Sequence, residues 1–322
     1  MPPSGASSAK ASDYTKVKRL GAGAFGEVFL VKLKATGRQY VIKEVSVQRM
    51  PQRERDAAIA EAKVLRAFDH PNICHYKDFF VDVGKLHIVM GYAENGDLYG
   101  AVKKQRGKKF AEEQVLDWFV QICLALKHVH DRKVLHRDIK TQNIMLADGG
   151  KRILLGDFGI AKVFENTRDL ARTQVGTPYY LSPEICADKA YDNRSDVWSL
   201  GCVLYELMTL KHAFDANSMH ALVLKIMRGK PPPISSVYSS ELRKLVGEML
   251  MKNPKQRPTV NQVRPATRFA AAARAPAAAA ADPRRWRRSS KSPSYSSASG
   301  TFWRTRWCSR SSRTRCCTGS TR

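Results

Sequence analysis

Three glycines open the chain's chemistry, in Gly21-Ala22-Gly23-Ala24-Phe25-Gly26-Glu27-Val28. A G-x-G-x-x-G run serves either a dinucleotide fold, where a helix follows at once, or a hairpin. Here Val28-Phe29-Leu30-Val31 follows, β-branched and aromatic, so a strand is expected and the dinucleotide reading fails. Two readings remain, a plain glycine-rich turn and a loop folded over a triphosphate. In the latter, backbone amides approach the oxygens without side-chain collision. Lys43 stands 17 residues past Gly26 at the end of the next predicted strand, where an ammonium can reach phosphates. Glu61 stands 18 residues further on, where a carboxylate can hold that lysine in place.

These residues need a scaffold, and the pattern supplies one. Tyr14 to Val47 reads as strands, with alternation in Glu27 to Val31 and Tyr40 to Lys43. Arg53 to Phe68 changes to helical spacing, with Ala58, Ala62 and Leu65 on one stripe. Strands resume at Phe79 to Val81 and Leu86 to Met90, and from Val115 helices dominate, over Val115 to His130 and Asp196 to Thr209. The expectation is an α+β chain of two lobes, β-rich about 14–93 and mainly helical about 94–263, with a cleft between them.

The order of motifs along that scaffold then resembles the eukaryotic protein kinases. After the glycine loop and the Lys43 and Glu61 pair come His136-Arg137-Asp138-Ile139-Lys140-Thr141-Gln142-Asn143, Gly156-Asp157-Phe158-Gly159, Ser182-Pro183-Glu184 and Asp196-Val197-Trp198-Ser199-Leu200-Gly201. The resemblance covers about residues 14–263 and implies a bilobal kinase fold that uses ATP with Mg²⁺, or Mn²⁺ as a substitute. It implies that Asp138 orients the acceptor hydroxyl, that Asn143 and Asp157 hold the metal, and that Lys140 neutralises the moving phosphoryl group. Around the nucleotide it implies Leu20, Gly21, Gly23, Gly26, Val28, Val41, Lys43, Met90, Gly91, Ala93, Asp97 and Leu146. His136, Phe158, Leu65 and Tyr76 resemble the family's stacked apolar spine, Glu184 and Arg257 its buried ion pair, and Asp196 its anchor for the catalytic-loop backbone.

Lys140, two residues after Asp138, and Thr177 in Gly176-Thr177-Pro178-Tyr179-Tyr180 are similar to serine/threonine rather than tyrosine kinases. Tyr40-Val41-Ile42-Lys43-Glu44, Leu170-Ala171-Arg172-Thr173 and Leu210-Lys211-His212-Ala213-Phe214 resemble the NimA-related (NEK) kinases. That resemblance implies protein substrates with serine or threonine acceptors, and activation by an upstream kinase at Thr173, whose phosphate Arg137 would grip. It implies a cytoplasmic enzyme of mitosis, centrosomes, microtubules, cilia or the nucleus. Three positions depart from the common pattern: Val41 in place of alanine, the hinge Met90-Gly91-Tyr92-Ala93, and Arg264-Pro265-Ala266, which is expected to interrupt the last helix.

Charge and composition bound the rest. The 322 residues carry 55 Lys and Arg against 29 Asp and Glu, yet the excess is uneven. Residues 264–322 hold 14 Lys and Arg against Asp282 alone, in an Ala-, Arg- and Ser-rich stretch with no lasting apolar face. A disordered basic tail with weak, sequence-independent polyanion binding is expected. Residues 1–13 read as a flexible leader. No run of about 18 apolar residues exists, so no transmembrane segment is expected, and the seven cysteines lack a disulfide pattern. Two further readings share these residues: a pseudokinase scaffold, or a polyanion-binding protein acting through the tail. The scaffold is expected to have lost Lys43, Asp138 or Asp157, and all three are present.

Overall fold

A computed structural model describes residues 9–23, 26–48, 50–157 and 178–266. It begins with a five-stranded antiparallel sheet made of β1 (Tyr14–Gly23), β2 (Gly26–Leu33), β3 (Gln39–Ser46), β4 (Tyr76–Asp82) and β5 (Lys85–Gly91), in the order β1-β2-β3-β5-β4. Tyr40 and Ile42 alternate inward on β3 and, with Tyr14, Val31, Phe80 and Val89, close a small core on one face. Lys43 therefore lies inside β3 rather than at its end, and its neighbours on both sides hold it in register. Within the segment expected to be a flexible leader, Ala11–Asp13 form a 3-10 turn, fastened where the Lys10 amide donates to Asp13 Oδ2 at 2.8 Å.

The helix α1 (Gln52–Arg66) follows Pro51 and buries Ala58, Ala62 and Leu65, spaced by four and three, beside β4. Then come α2 (Leu98–Lys104) and α3 (Glu112–Asp131), which starts with Glu112 and Glu113, anions suited to the positive end of its dipole. The hairpin of β6 (Ile144–Ala147) and β7 (Arg152–Leu155) packs on α3. After it lie α4 (Pro183–Cys186), α5 (Asn193–Thr209), α6 (Met219–Arg228), α7 (Ser240–Met249) and α8 (Val260–Ala266).

Every residue of α5 from Ser195 to Met208 is buried, so this helix is the pillar of the second lobe rather than an amphipathic surface element. Asp192 caps its first turn and Ser195 returns the bond. Arg264, Pro265 and Ala266, where the last helix is expected to be interrupted, belong to α8, which ends at the last residue described there. Among the described residues no helix is long and apolar enough to cross a membrane.

Candidate active site

The glycine hairpin is tied across three strands: Gly21 pairs with Val28, and Val28 with Lys43. Gly26 has φ 143°, and a Cβ there would sit 1.7 Å from the Glu44 carbonyl oxygen, so β2 can pass over β3 only as glycine. Gly21 differs, since a Cβ there would meet nothing within 4 Å. The fold does not need that glycine for its own packing, and the space beside it is open to a phosphate-bearing ligand. Leu20 at the same edge is 45% exposed. Val41 pairs with Met90, and Leu146 is buried on β6 with its amide bonded to the Gly96 carbonyl. Gly91 closes β5, its amide donating to the His75 carbonyl at 2.9 Å and its carbonyl accepting from the Cys74 thiol. Ala93 follows, half-buried, and Asp97 caps α2 through Oδ1, which accepts from the Gly100 amide at 2.7 Å and leaves Oδ2 for a ligand.

Across from the sheet, Asp138 Oδ2 is held between Asn143 Nδ2 and Lys140 Nζ, each at 2.7 Å. Asn143 Nδ2 also donates to the Asp138 carbonyl at 2.8 Å, which leaves its Oδ1 as the atom for a cation. Lys43 Nζ contacts the Asp157 carboxylate, so β3 and the end of β7 meet through a charge pair. Arg137 and Asp157 both hold left-handed backbones, φ 66° and 48°, a conformation that L-residues take only where the surroundings impose it. A carboxylate and an amide oxygen are hard donors of the kind Mg²⁺ takes beside substrate phosphates, and two of them match a metal that arrives with a nucleotide. No cluster of three His, Cys, Asp or Glu that could hold a metal ion occurs among the described residues.

The imposing agent for the catalytic loop is Asp196 at the start of α5. Its fully buried carboxylate accepts from the backbone amides of His136 and Arg137, both at 3.0 Å, from His130 at 2.7 Å and from Tyr191 at 2.6 Å. Burial pushes this carboxyl up, and the bonds from His130 and Tyr191 with the neighbouring imidazoles outweigh it, so the net shift is down. His136 is buried, and desolvation pushes its pKa down, keeping the ring neutral. In that form Nε2 donates to the Gly156 carbonyl at 3.1 Å while Nδ1 accepts from the Asp138 amide at 3.3 Å. The ring thus joins the two motifs that carry Asp138 and Asp157.

A second buried network runs from Thr141, whose hydroxyl lies 2.9 Å from Tyr180 OH and donates to Glu206 Oε1 at 3.3 Å. Tyr180 donates to Glu206 Oε2 at 2.5 Å. Beside it, Arg257 meets Glu184 with both ends of its fork at 2.6 and 2.7 Å. The reading of the sequence missed His130, Tyr191, Tyr180 and Glu206, which carry no local signature. The spacing of Thr141 next to Lys140 was the one available hint. Leu65 and Tyr76 are buried in the main core, while Phe158, Thr173 and Thr177 lie outside the described residues, as does the side chain of Glu61, whose backbone belongs to α1.

Residues 14–267 match the protein kinase domain family. The chain is 56% identical over 250 residues to mouse serine/threonine-protein kinase Nek1 and 50% identical over 250 residues to human Nek5. These matches take in 78% of this chain but only 21% and 35% of those proteins, so the chain spans a fifth to a third of the relatives' length. Among solved structures it is similar to residues 1–466 of Rad53 in complex with AMP-PNP, at TM-score 0.67 and 27% identity, covering 78% of this chain and 64% of that one.

Proposed function

The chain belongs to the protein kinase family, with a kinase domain of Nek type, and we propose that it transfers the γ-phosphoryl group of Mg·ATP to serine and threonine hydroxyls of proteins. A kinase domain implies nucleotide and divalent-metal use; ATP with Mg²⁺ is the specific pair that the open glycine edge and the two hard oxygens suit. The observation that carries the reading is the Asp138 carboxylate gripped by Lys140 and Asn143 while Lys43 holds Asp157 across the cleft.

Asp138 offers a carboxylate oxygen to the acceptor hydroxyl and takes the proton as the hydroxyl oxygen becomes a nucleophile. Lys140, bonded to the same carboxylate, is close enough to place positive charge where negative charge gathers on the moving phosphoryl group. Asn143 Oδ1 and the Asp157 carboxylate would hold the cation, and Lys43, with Glu61 of α1 as the partner that the motif order implies, would position the phosphates. When bound, the nucleotide supplies the phosphoryl group and the cation neutralises its oxygens. Asp196 contributes by fixing the loop backbone, so that none of these atoms needs to reorganise during transfer.

The Nek-type domain supports a role in the cell cycle and at microtubules, centrosomes or cilia. The basic residues 264–322 support weak binding of polyanions, and the position of Thr173 supports control by another kinase. Purified full chain with Mg·ATP and a generic protein substrate tests the central claim. Phosphate incorporation at Ser and Thr is expected, with loss of at least about a thousandfold in Asp157→Ala. Equal rates in the two proteins would overturn it.

A further inference from the structure

A surface groove of about 590 Å³ opens between the end of α2 with the loop after it, the end of α5, and the turn holding Pro232 and Pro233. Lys103, Arg106, Lys109 and Lys211 line it, and no lining residue is acidic. Lys104 and Lys108 add to the same surface, so that residues 98–111 carry five cations and no anion. All six side chains are exposed, and none has a carboxylate partner among the described residues. Lys103 lies 5.2 Å from the Tyr99 ring and shares the last turn of α2 with Lys104, where the helix dipole favours a cation, but crowding five like charges into this short stretch adds mutual repulsion.

The groove is built before anything enters it. Tyr205 on α5 donates to the Pro232 carbonyl at 3.1 Å, pinning the proline wall, whose rings have fixed φ and no N–H to satisfy. Apolar Val102 and Leu210 contribute to the lining, which suits an extended polypeptide with charged side chains. Both walls connect to the acceptor side of the site. Lys211 adjoins His212, whose ring stacks on Tyr179 at 4.1 Å, next to Tyr180 and its bond to Thr141. On the other wall, α2 packs against Thr141–Asn143.

We infer that this groove takes an acidic segment of the protein substrate, glutamate- or aspartate-rich or phosphorylated, lying outside the acceptor's immediate neighbours. The inference rests on the kinase reading and names the class of substrate it prefers. Its contribution is long-range charge attraction, so it acts on capture of the substrate and not on phosphoryl transfer, and it is screened by salt.

The test compares a short acceptor peptide with versions extended by six glutamates or by phosphoserines on either side. Full-length wild type and the triple variant Lys103→Ala, Arg106→Ala, Lys109→Ala are assayed at low and high salt. One extension should lower KM about tenfold at low salt with kcat unchanged. High salt and the triple variant should each erase that gain, while the short peptide reacts equally with both proteins. Glutamate and phosphoserine arms that behave alike identify charge as the feature read; a gain from phosphoserine alone identifies a phosphopeptide, and both support the groove. Anisotropy of the labelled extended peptide on Asp138→Asn protein reads binding without turnover, so absent kinase activity would sink the kinase reading while the groove is still tested. Extensions without benefit, or a benefit that survives in the triple variant and so belongs to residues 264–322, would overturn the inference. So would a single-stranded oligonucleotide that outcompetes the acidic peptide on wild type and loses its binding in the triple variant.

Discussion

Arg257→Met should cost this fold about 3–5 kcal/mol at pH 7, and the deficit should shrink on acidification. The size follows from what the guanidinium does. Its five N–H donors are all used: Nε on the Met251 carbonyl at 2.7 Å, Nη1 on Glu184 Oε1 at 2.7 Å and the Arg194 carbonyl at 3.0 Å, Nη2 on Glu184 Oε2 at 2.6 Å and the Lys252 carbonyl at 3.1 Å. The two side chains are 0% and 4% exposed, and the guanidinium also lies 5.0 Å from the Trp198 ring. Methionine keeps much of the volume but leaves Glu184 charged and buried with no cation beside it, its support reduced to the Ser195 hydroxyl at 2.6 Å and a backbone amide. A domain of this size has roughly 5–15 kcal/mol to lose, and each kcal/mol moves Tm by roughly 2–4 °C, so a fall of about 10 °C is expected.

The pH dependence separates this account from simple loss of packing. In wild type, burial raises the Glu184 pKa, but the bonds from Arg257 and Ser195 and the guanidinium charge more than offset it, holding it below the ordinary 4.5. A carboxyl depressed in the folded state stabilises above its unfolded pKa, and that stability is lost as pH falls through the folded value. Between pH 7 and 5, then, Glu184 gives wild type no slope. Without Arg257 the sign is expected to reverse, because desolvation, the largest influence on this carboxyl, is then opposed only by the Ser195 and backbone bonds, and the variant is relieved as its carboxyl takes up a proton. Urea unfolding of both proteins at pH 7 and pH 5 measures the difference. Glu184→Gln added to Arg257→Met should recover part of the loss at pH 7. A deficit below about 1 kcal/mol, or one that widens at pH 5, would refute the reasoning.

Asp196→Asn should lower kcat by about 10²-fold or more and Tm by several degrees. An amide cannot accept from the His136 and Arg137 amides, His130 and Tyr191 together, and the loop backbone loses its fixed geometry. Steady-state kinetics beside a thermal melt reads both, and an unchanged kcat would remove Asp196 from its positioning role. Thr173→Ala should be weakly active and indifferent to phosphatase, whereas phosphatase should lower wild-type activity; a fully active Thr173→Ala enzyme would end the idea of an activating phosphate. Deleting residues 264–322 should abolish retention on heparin and spare kinase activity, and loss of activity on deletion would show that this segment completes the fold.

The elements that position the site were legible because their periods are short. Alternation in β2 and β3 and the Ala58, Ala62, Leu65 stripe of α1 need only a window of ten or so residues. The chemistry was legible for a related reason: Asp138, Lys140 and Asn143 converge within six residues, and the tight loop brings their side chains to one carboxylate. What escaped is long in sequence and ordinary in residue type. Asp196 was placed as the anchor of the loop through the family resemblance, but its partners His130 and Tyr191 went unread, and the Thr141, Tyr180 and Glu206 network joins three segments through a threonine, a tyrosine and a glutamate that would suit any surface. The helix α5 hid its nature too, since Ser195, Asp196, Ser199 and Glu206 give it polar positions that on an isolated helix mark the solvent face. They are buried because each bonds to a catalytic-loop, Pro178–Tyr180 or α4 atom, or back along α5. Polar side chains inside this pillar therefore mark where the second lobe fastens the catalytic loop, Pro178–Tyr180 and α4. By the same logic, the cations from Lys103 to Lys109, which are exposed and pair with no carboxylate among the described residues, are placed to meet what arrives from outside.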